Sequence, residues 1–433
     1  MAKTQLFEVK LGPVVGGGQT MADVVLADGA VKKAFIWGGL PGEIVRFRVT
    51  KKRAGIIEGV VTEVLQSAPE RVAPRDELAY LATSPWQIYD WQFELKTKAE
   101  LIRQAFVDHK ITIEAPTVQT DQQQYHYRNK MEFTWWWDND IQRVELAHYQ
   151  RGVKGKVITD GSSLARPEIN RVACQIRDLI NVKNWQARQL KTVLLRANQA
   201  GQVVVQLYVT DEQLIFSETE FANLGIAGLE LIYSNPKSPA SVISKRLQVF
   251  GQMRLCDELS GLEFSYPAES FFQINLPVYQ MALEQISASL LDERPVVDLY
   301  SGVGTIGLSV AGERQLKLVE INQSAVAEMH QNLLKLGRDI SEAILAPAEQ
   351  ALDYITSDCQ LIVDPPRAGL HQKVIEQILK NRPQRVIYLS CNVATQARDV
   401  ALLAEVYRIT AVTGFNFFPK TPHIENLVIL DLK

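Results

Sequence analysis

Residues 386–399, VIYLSCNVATQARD, run as an apolar strand that breaks at Ser390-Cys391-Asn392 and then turns polar and helix-forming. The break leaves one thiol, Cys391, at the end of a strand. A lone Cys is commonly no more than a small buried hydrophobe, and that is the competing explanation. A second segment argues for chemistry instead. Residues 361–370, LIVDPPRAGL, form another apolar strand that stops on Asp364-Pro365-Pro366-Arg367, where Pro ends pairing and leaves the acid at the strand tip. Open α/β sheets bind ligands outside the carboxyl ends of their strands, so Asp364 and Cys391 would face one crevice. A thiol used there as a nucleophile must ionise. With a reference pKa near 8.5 only a few per cent of free Cys is thiolate at neutral pH, so a depressed pKa or a nearby base is required.

The elements that would position these groups begin at Pro295, where strand and helix patterns alternate regularly. VVDLYSGVGTIGLSVA, residues 296–311, reads as a short strand, a glycine turn and a helix start. Its G-x-G-x-x-G, Gly302, Gly304 and Gly307, permits close backbone approach to a ligand, and nicotinamide, flavin and adenosylmethionine folds all share the idea. LKLVEI, residues 316–321, gives a second strand ending in Glu320, which is placed to accept hydrogen bonds from ribose hydroxyls unless it is only a surface acid. The third strand is not defined by the pattern. LIVDPP and VIYLSC supply the fourth and fifth, and residues 407–412 and 426–432 a final pair.

At 433 residues the chain is too long for one core and calls for two or three domains. The N-terminus lacks a long apolar leader core and no apolar run approaches the roughly 18 residues needed to span a bilayer, so a cytoplasmic protein with no membrane partner is expected. The four cysteines, Cys174, Cys256, Cys359 and Cys391, are scattered with no C-x-x-C pair, which offers neither a disulfide framework nor a zinc or iron–sulfur motif. A net charge of -3 means that any polyanion must be met by local basic patches. Residues 1–66 read as short strands with Gly and Pro turns, a small OB-like β-barrel. Their Lys32, Lys33, Arg46, Arg48, Lys51, Lys52 and Arg53 are either a solvated face or a phosphate-tracking surface. Residues 67–90, punctuated by prolines, read as a linker. Residues 91–275 read as a central α+β domain that opens with a helix over 91–109, Leu95, Ala99, Ile102 and Phe106 on its apolar face and Lys96, Lys98 and Arg103 off it. Within this domain YHYRNKMEFTWWW, residues 125–137, interleaves aromatics with Arg128 and Lys130, which suits base stacking and phosphate contact or, equally, a half-buried strand. Residues 276–433, opening with a helix over 276–291, are a Rossmann-like unit. No internal repeat or low-complexity stretch is present.

DLYSGVGTIGL, LVEIN, IVDPPRAGL, YLSCNVATQARD and FFPKTPHIENLVIL, with LPGEIVRFRV, SAPERVAP, YRNKMEF and SFFQIN, occur in the order and spacing of the RNA uracil-5 methyltransferases, and the chain resembles that family over nearly its whole length. The resemblance implies a multidomain α/β protein: an N-terminal TRAM barrel, a central α+β RNA-binding domain and a class I methyltransferase domain that uses S-adenosylmethionine to methylate carbon 5 of a uridine in structured RNA. It further implies Cys391 as nucleophile toward carbon 6, Glu425 as the base that removes the carbon 5 proton, and Asp364 between cofactor and base. Gln273, Tyr300, Gly302, Thr305, Glu320 and Asp364 match cofactor positions. His423, two residues before Glu425 and so on one face of a strand with it, is the rival base. Because a stacked uridine is inaccessible, catalysis implies an unpaired or flipped base, gripped by Arg128, Lys130, Lys51, Lys52 and Arg53. Many relatives carry a four-Cys iron–sulfur cluster; here those positions hold Asp76, Ala82, Pro85 and Ser162 or Ser163, so no cluster and no metal is expected. Pro347, Asn416 and Val393 also depart from the common pattern. The TRAM-like segment favours 23S ribosomal RNA, with the T-loop uridine of transfer RNA second, and a monomer is expected. A non-catalytic RNA-binding or folding factor and a nicotinamide oxidoreductase are the readings from other classes.

Overall fold

Continuous apolar strands separated by amphipathic helices have to be buried on both faces. In the computed structural model, which describes residues 5–53, 55–291 and 293–433, the strands after Pro295 do this in one eight-stranded sheet. Its order is Ser341–Leu345, Leu316–Glu320, Val296–Leu299, Gln360–Val363, Arg385–Ser390, Glu425–Leu432, Tyr407–Phe415 and Val118–Gln119. The strand left undefined by the sequence is Ser341–Leu345. Pairing is parallel from Ser341–Leu345 through Arg385–Ser390, and Glu425–Leu432 then runs antiparallel to both its neighbours. The chain winds outward in opposite directions from Val296–Leu299 and Gln360–Val363, so a crevice opens at the carboxyl ends of these two strands.

The span 91–275 expected for the central unit begins with segments that belong elsewhere. Val118 and Gln119 pair with Gly414 and Phe415 of the C-terminal sheet, and helix Trp91–Asp108 sends Ile102 and Phe106 into the same core as Val363 and Val428. The helix face is also not the apolar stripe expected. Lys98, expected toward solvent, is fully buried, while Leu95 and Ala99 are only half-buried. The reason is a set of polar partners, one in the same helix and two from the far end of the sequence: Lys98 Nζ lies 3.0 Å from Glu94 Oε1 and donates to Asn416 Oδ1 at 2.6 Å and to the Phe418 carbonyl at 3.1 Å. Burying an ammonium without such partners would be costly.

The remaining central residues form a seven-stranded sheet in which Lys130–Asp138 lies between Arg143–Tyr149 and Leu190–Ala197. Helix Pro167–Val182 covers it, started by a proline whose missing N–H costs nothing at that position, and buries Ile169, Val172, Ala173, Ile176 and Ile180. The aromatic run is split by the strand period: Trp135 is in the core and Trp136 faces outward.

The N-terminal strands form a five-stranded sheet in the order Leu6–Lys10, Ile44–Arg53, Ile56–Gln66, Val31–Trp37 and Thr20–Val25. Among the described residues no ladder joins the two outer strands, so the closed barrel expected from the sequence is not formed. The connecting stretch meets Thr20–Val25 through its own backbone instead, Gly12 N–H donating to Met21 O and Met21 N–H to Pro13 O, before it turns away. The stretch read as a linker is likewise packed rather than free. Arg71 forks onto the buried Glu43 carboxylate at 2.6 and 2.8 Å, and Trp86, Ile88 and Tyr89 make a core with Leu40. Asp76 and Ser163, the latter one of the two alternatives (Ser162 or Ser163) given for its position, hydrogen-bond to one another, Ser163 Oγ donating to Asp76 Oδ2 at 2.9 Å.

Candidate active site

Strand register brings the thiol and the carboxylate together. The antiparallel ladder between Arg385–Ser390 and Glu425–Leu432 runs from Arg385 opposite Asp431 to Ser390 opposite Asn426, and one further step places Cys391 opposite Glu425. Asp364 follows Gln360–Val363, the parallel neighbour on the other side. These three side chains line one cavity of about 520 Å³ together with Phe271, Gln273, Tyr300, Gly302, Glu320 and Pro347. Glu425 is buried, whereas Cys391 and Asp364 are half-buried at the cavity wall.

The glycine turn lines the same cavity. Gly302 adopts φ +58°, and a Cβ there would meet no atom within 4 Å, which leaves its backbone open to a ligand. Gly307 is glycine for packing: a Cβ would lie 2.6 Å from Leu318 Cδ2 and 2.9 Å from Asp298 Oδ2. Glu320 already serves the turn, accepting from Gly302 N–H at 3.0 Å and Asn322 N–H at 2.8 Å. A carboxylate offers about four lone-pair sites, so capacity remains for ribose hydroxyls. Tyr300 has φ 65°, a conformation that is uncommon for a bulky non-glycine residue and is concentrated at ligand sites. Thr305 is set back: its Oγ1 is 2.9 Å from Tyr279 Oη, and it lines a smaller cavity of about 30 Å³ beside Gln273, Tyr300, Gly302 and Asp364.

Asp298 belongs to this machinery and was not singled out in the sequence. Fully buried, it accepts the Gly307 N–H at 2.9 Å and thereby fixes the turn. Burial pushes its carboxyl up to about 8, opposed by that hydrogen bond and reinforced by Asp364 and Glu320. The signal available was an acid inside an otherwise apolar strand, VVDL, just ahead of a glycine turn.

The electrostatics oppose easy ionisation. Burial, then Glu425 and Asp364, push the Cys391 thiol up to about 11, with Arg367 pulling the other way. Burial raises Asp364 to about 7 and holds Glu425 well above the usual carboxylate range, Asp364 adding to the latter and Arg367 opposing it. The thiol is thus not depressed, and of the two routes to a thiolate the nearby base is the one the site offers. His423 lies outside the cavity that holds Glu425. It precedes the strand, which starts at Glu425, so the period-of-two rule does not reach it. Burial and then Arg367 lower its pKa to about 4, and its Nδ1 is 3.3 Å from Arg367 Nη2.

A sequence profile of the tRNA (uracil-5-)-methyltransferases matches residues 90–433. The chain belongs to this tRNA (uracil-5-)-methyltransferase family. It is 30% identical to an uncharacterized RNA methyltransferase of Bacillus anthracis over 92% of both chains, and 30% identical to another of Bacillus cereus over 92% of this chain and 91% of that one. Its fold is that of Pyrococcus abyssi tRNA (uracil-54, C5)-methyltransferase, solved with S-adenosyl-L-homocysteine: TM-score 0.79, 20% identity, 98% of this chain and all of that one covered. Set in this methyltransferase family, the departures have structural counterparts. Pro347 lines the large cavity without a side-chain acceptor. Asn416 accepts from Lys98 and donates Nδ2 to Glu94 Oε1 at 3.1 Å, a donation that an Asp could not make. None of the candidate RNA contacts lines either the cavity of about 520 Å³ or the neighbouring one of about 280 Å³ at Cys391. Lys51, Lys52 and Arg53 are exposed at one end of Ile44–Arg53, Lys52 donating to Gln5 and Arg53 pairing with Glu58 at 3.4 Å. Arg128 and Lys130 are half-buried, and burial lowers Lys130 to about 8.

Proposed function

We propose that this chain methylates carbon 5 of a uridine in RNA through a covalent Cys391 adduct, with S-adenosylmethionine as methyl donor. The convergence of Cys391, Glu425 and Asp364 on one cavity together with Gly302 and Glu320 carries the reading. The donor fits the chemistry of that lining, where an open glycine backbone and a carboxylate with spare acceptor capacity face the cavity; when bound, it supplies an electrophilic methyl group on a positively charged sulfur. The chain's own residues do the rest. Cys391 Sγ gives up its proton to a carboxylate of the lining and adds to carbon 6, and the displaced electron pair makes carbon 5 a nucleophile. After methylation the Glu425 carboxylate takes the carbon 5 proton, the C–H pair restores the ring double bond, and Cys391 Sγ leaves. The N-terminal sheet is read as a TRAM-like RNA-binding unit, whose exposed Lys51 and Lys52 suit phosphate contact, and by analogy with TRAM-bearing relatives large-subunit (23S) ribosomal RNA is the first reading of the substrate. Transfer RNA is the second reading, favoured by the P. abyssi enzyme, whose fold covers 98% of this chain, the N-terminal sheet included.

Mass-spectrometric mapping of 5-methyluridine in ribosomal and transfer RNA from cells lacking the gene tests both. Loss at a ribosomal position restored by the wild-type gene is expected; loss confined to transfer RNA selects the second reading. Complementation with Cys391→Ala should restore nothing while the purified variant still binds S-adenosylhomocysteine, and Glu425→Gln should accumulate a gel-stable RNA adduct. Normal turnover by Cys391→Ala rules out the covalent route.

A further inference from the structure

Cys391 is shared by two cavities. Besides the large one, it lines a separate cavity of about 280 Å³ walled by helix Trp91–Asp108 at Leu101 and Ala105, by Arg367, by Asn392 and Val393 after the nucleophile, by Pro422–Ile424, and by Gly16 and Gly17 of the N-terminal sheet. This second cavity has no part in the mechanism above. Its walls combine an apolar side with one exposed guanidinium, and burial together with Arg367 keeps the His423 imidazole beside it neutral. The two glycines are informative. Neither has a left-handed φ, a Cβ on Gly16 would meet nothing within 4 Å, and one on Gly17 would meet only the Gln19 side-chain oxygen at 3.4 Å. Neither backbone conformation nor packing therefore requires glycine at these positions, and their bareness keeps the cavity mouth open. We propose that this cavity binds a nucleotide adjacent in sequence to the target uridine, its phosphate on Arg367, its base against Leu101, Ala105 and Val393, and the Gly16–Gly17 backbone at its edge. The inference rests on the RNA-methylation reading and adds a flanking-nucleotide subsite to it. A guanidinium suits a phosphate, and an apolar wall accepts any base, so the subsite holds the strand without reading its sequence. It also gives the N-terminal sheet a direct place beside the reacting thiol.

Gly16→Trp and Gly16→Ala in the full chain test this, with RNA from a gene-deletion strain as acceptor and tritiated S-adenosylmethionine as donor. A filled mouth should raise the KM for RNA about tenfold in the Trp variant, equivalent to about 1.4 kcal/mol, and less in the Ala variant. At saturating RNA, kcat should stay within twofold, and the thermal shift given by S-adenosylhomocysteine should be unchanged, because the donor cavity does not include Gly16. Arg367→Gln should lower the slope of log KM against log salt by about one, the mark of a lost phosphate contact. A KM within twofold of the parent for Gly16→Trp, or an unaltered salt slope for Arg367→Gln, overturns the subsite and leaves the methylation reading standing. Failure of the wild-type protein to label RNA overturns both.

Discussion

At the scale of single residues, the site is a set of acids held away from their solution behaviour. Asp364 is the member whose consequence is simplest to measure. Burial raises its carboxyl from the usual 3.8 to about 7, so between about pH 4 and 7 the folded protein holds a proton that the unfolded chain releases. Stability then falls as pH rises through this window, being fully present below the unfolded pKa and lost by the folded one. Glu425 acts in the same direction. Asp364→Asn removes the contribution, so the melting temperature of the variant relative to the parent should climb steadily from pH 4 to 7 in ligand-free protein. Parallel curves would mean that Asp364 is already ionised in the folded state at pH 5. The acid and the thiol were both legible in the sequence, because a strand that ends abruptly on a reactive side chain declares where that side chain points. The raised thiol was not. It depends first on burial and then on Glu425, distant in sequence and brought opposite Cys391 only by the register of an antiparallel pair.

At the scale of elements, helix Trp91–Asp108 shows what periodicity can and cannot deliver. Its existence and the burial of Ile102 and Phe106 follow from the 3.6 spacing, and its start from the Asp90 carboxylate that accepts the Gln92 and Phe93 N–H groups. The burial of Lys98 does not: its ion-pair partner Glu94 is one helical turn away, but the Asn416 and Phe418 oxygens that complete its shell lie 318 and 320 positions along the chain. Glu94, Lys98 and Asn416 are wholly buried and Lys420 nearly so, Glu94 also accepting the Lys420 backbone N–H at 3.0 Å. Removing one partner of such a cluster leaves a desolvated charge behind. Lys98→Met should destabilise the protein by about 3–5 kcal/mol, and adding Glu94→Gln should recover only part of that loss, because it neutralises the half-paired carboxylate but leaves Lys420 Nζ, 3.6 Å from Glu94, without its counter-charge. Denaturant unfolding of the four proteins of this cycle measures the coupling. Strictly additive losses would show that the cluster is no more than packed side chains.

At the scale of the whole molecule, every part of the chain reaches the stretch 416–424 that leads into Glu425. The central part donates Tyr127 Oη to the Pro419 carbonyl at 2.9 Å, and Asn275 Nδ2 donates to the Phe417 carbonyl at 3.2 Å. The segment 67–90 contributes Trp86, whose N–H donates to the Lys420 carbonyl at 3.2 Å while its indole N–H donates to Gly18 O at 2.9 Å. The N-terminal sheet arrives at Gly18 itself. Sequence pattern marks units because each is locally periodic, whereas these contacts onto 416–424 are made by backbone carbonyls and single side chains with no pattern to read. Gly18 has φ +87°, and a Cβ there would fall 2.2 Å from Pro422 Cβ. Even Gly18→Ala must therefore push the N-terminal turn off Pro422, and it carries a strained backbone as well, a cost of about 1–2 kcal/mol. Gly18 does not line the cavity that holds Glu425, so a purely local defect would lower the melting temperature and spare turnover. If the segment 416–424 transmits the displacement to Glu425, the proposed base, kcat should fall about tenfold or more with S-adenosylhomocysteine binding intact, the effect of a small misplacement of a group that acts as proposed. A destabilised Gly18→Ala variant with wild-type kcat at a temperature where it is fully folded would show that the hub holds the parts together without setting the position of Glu425.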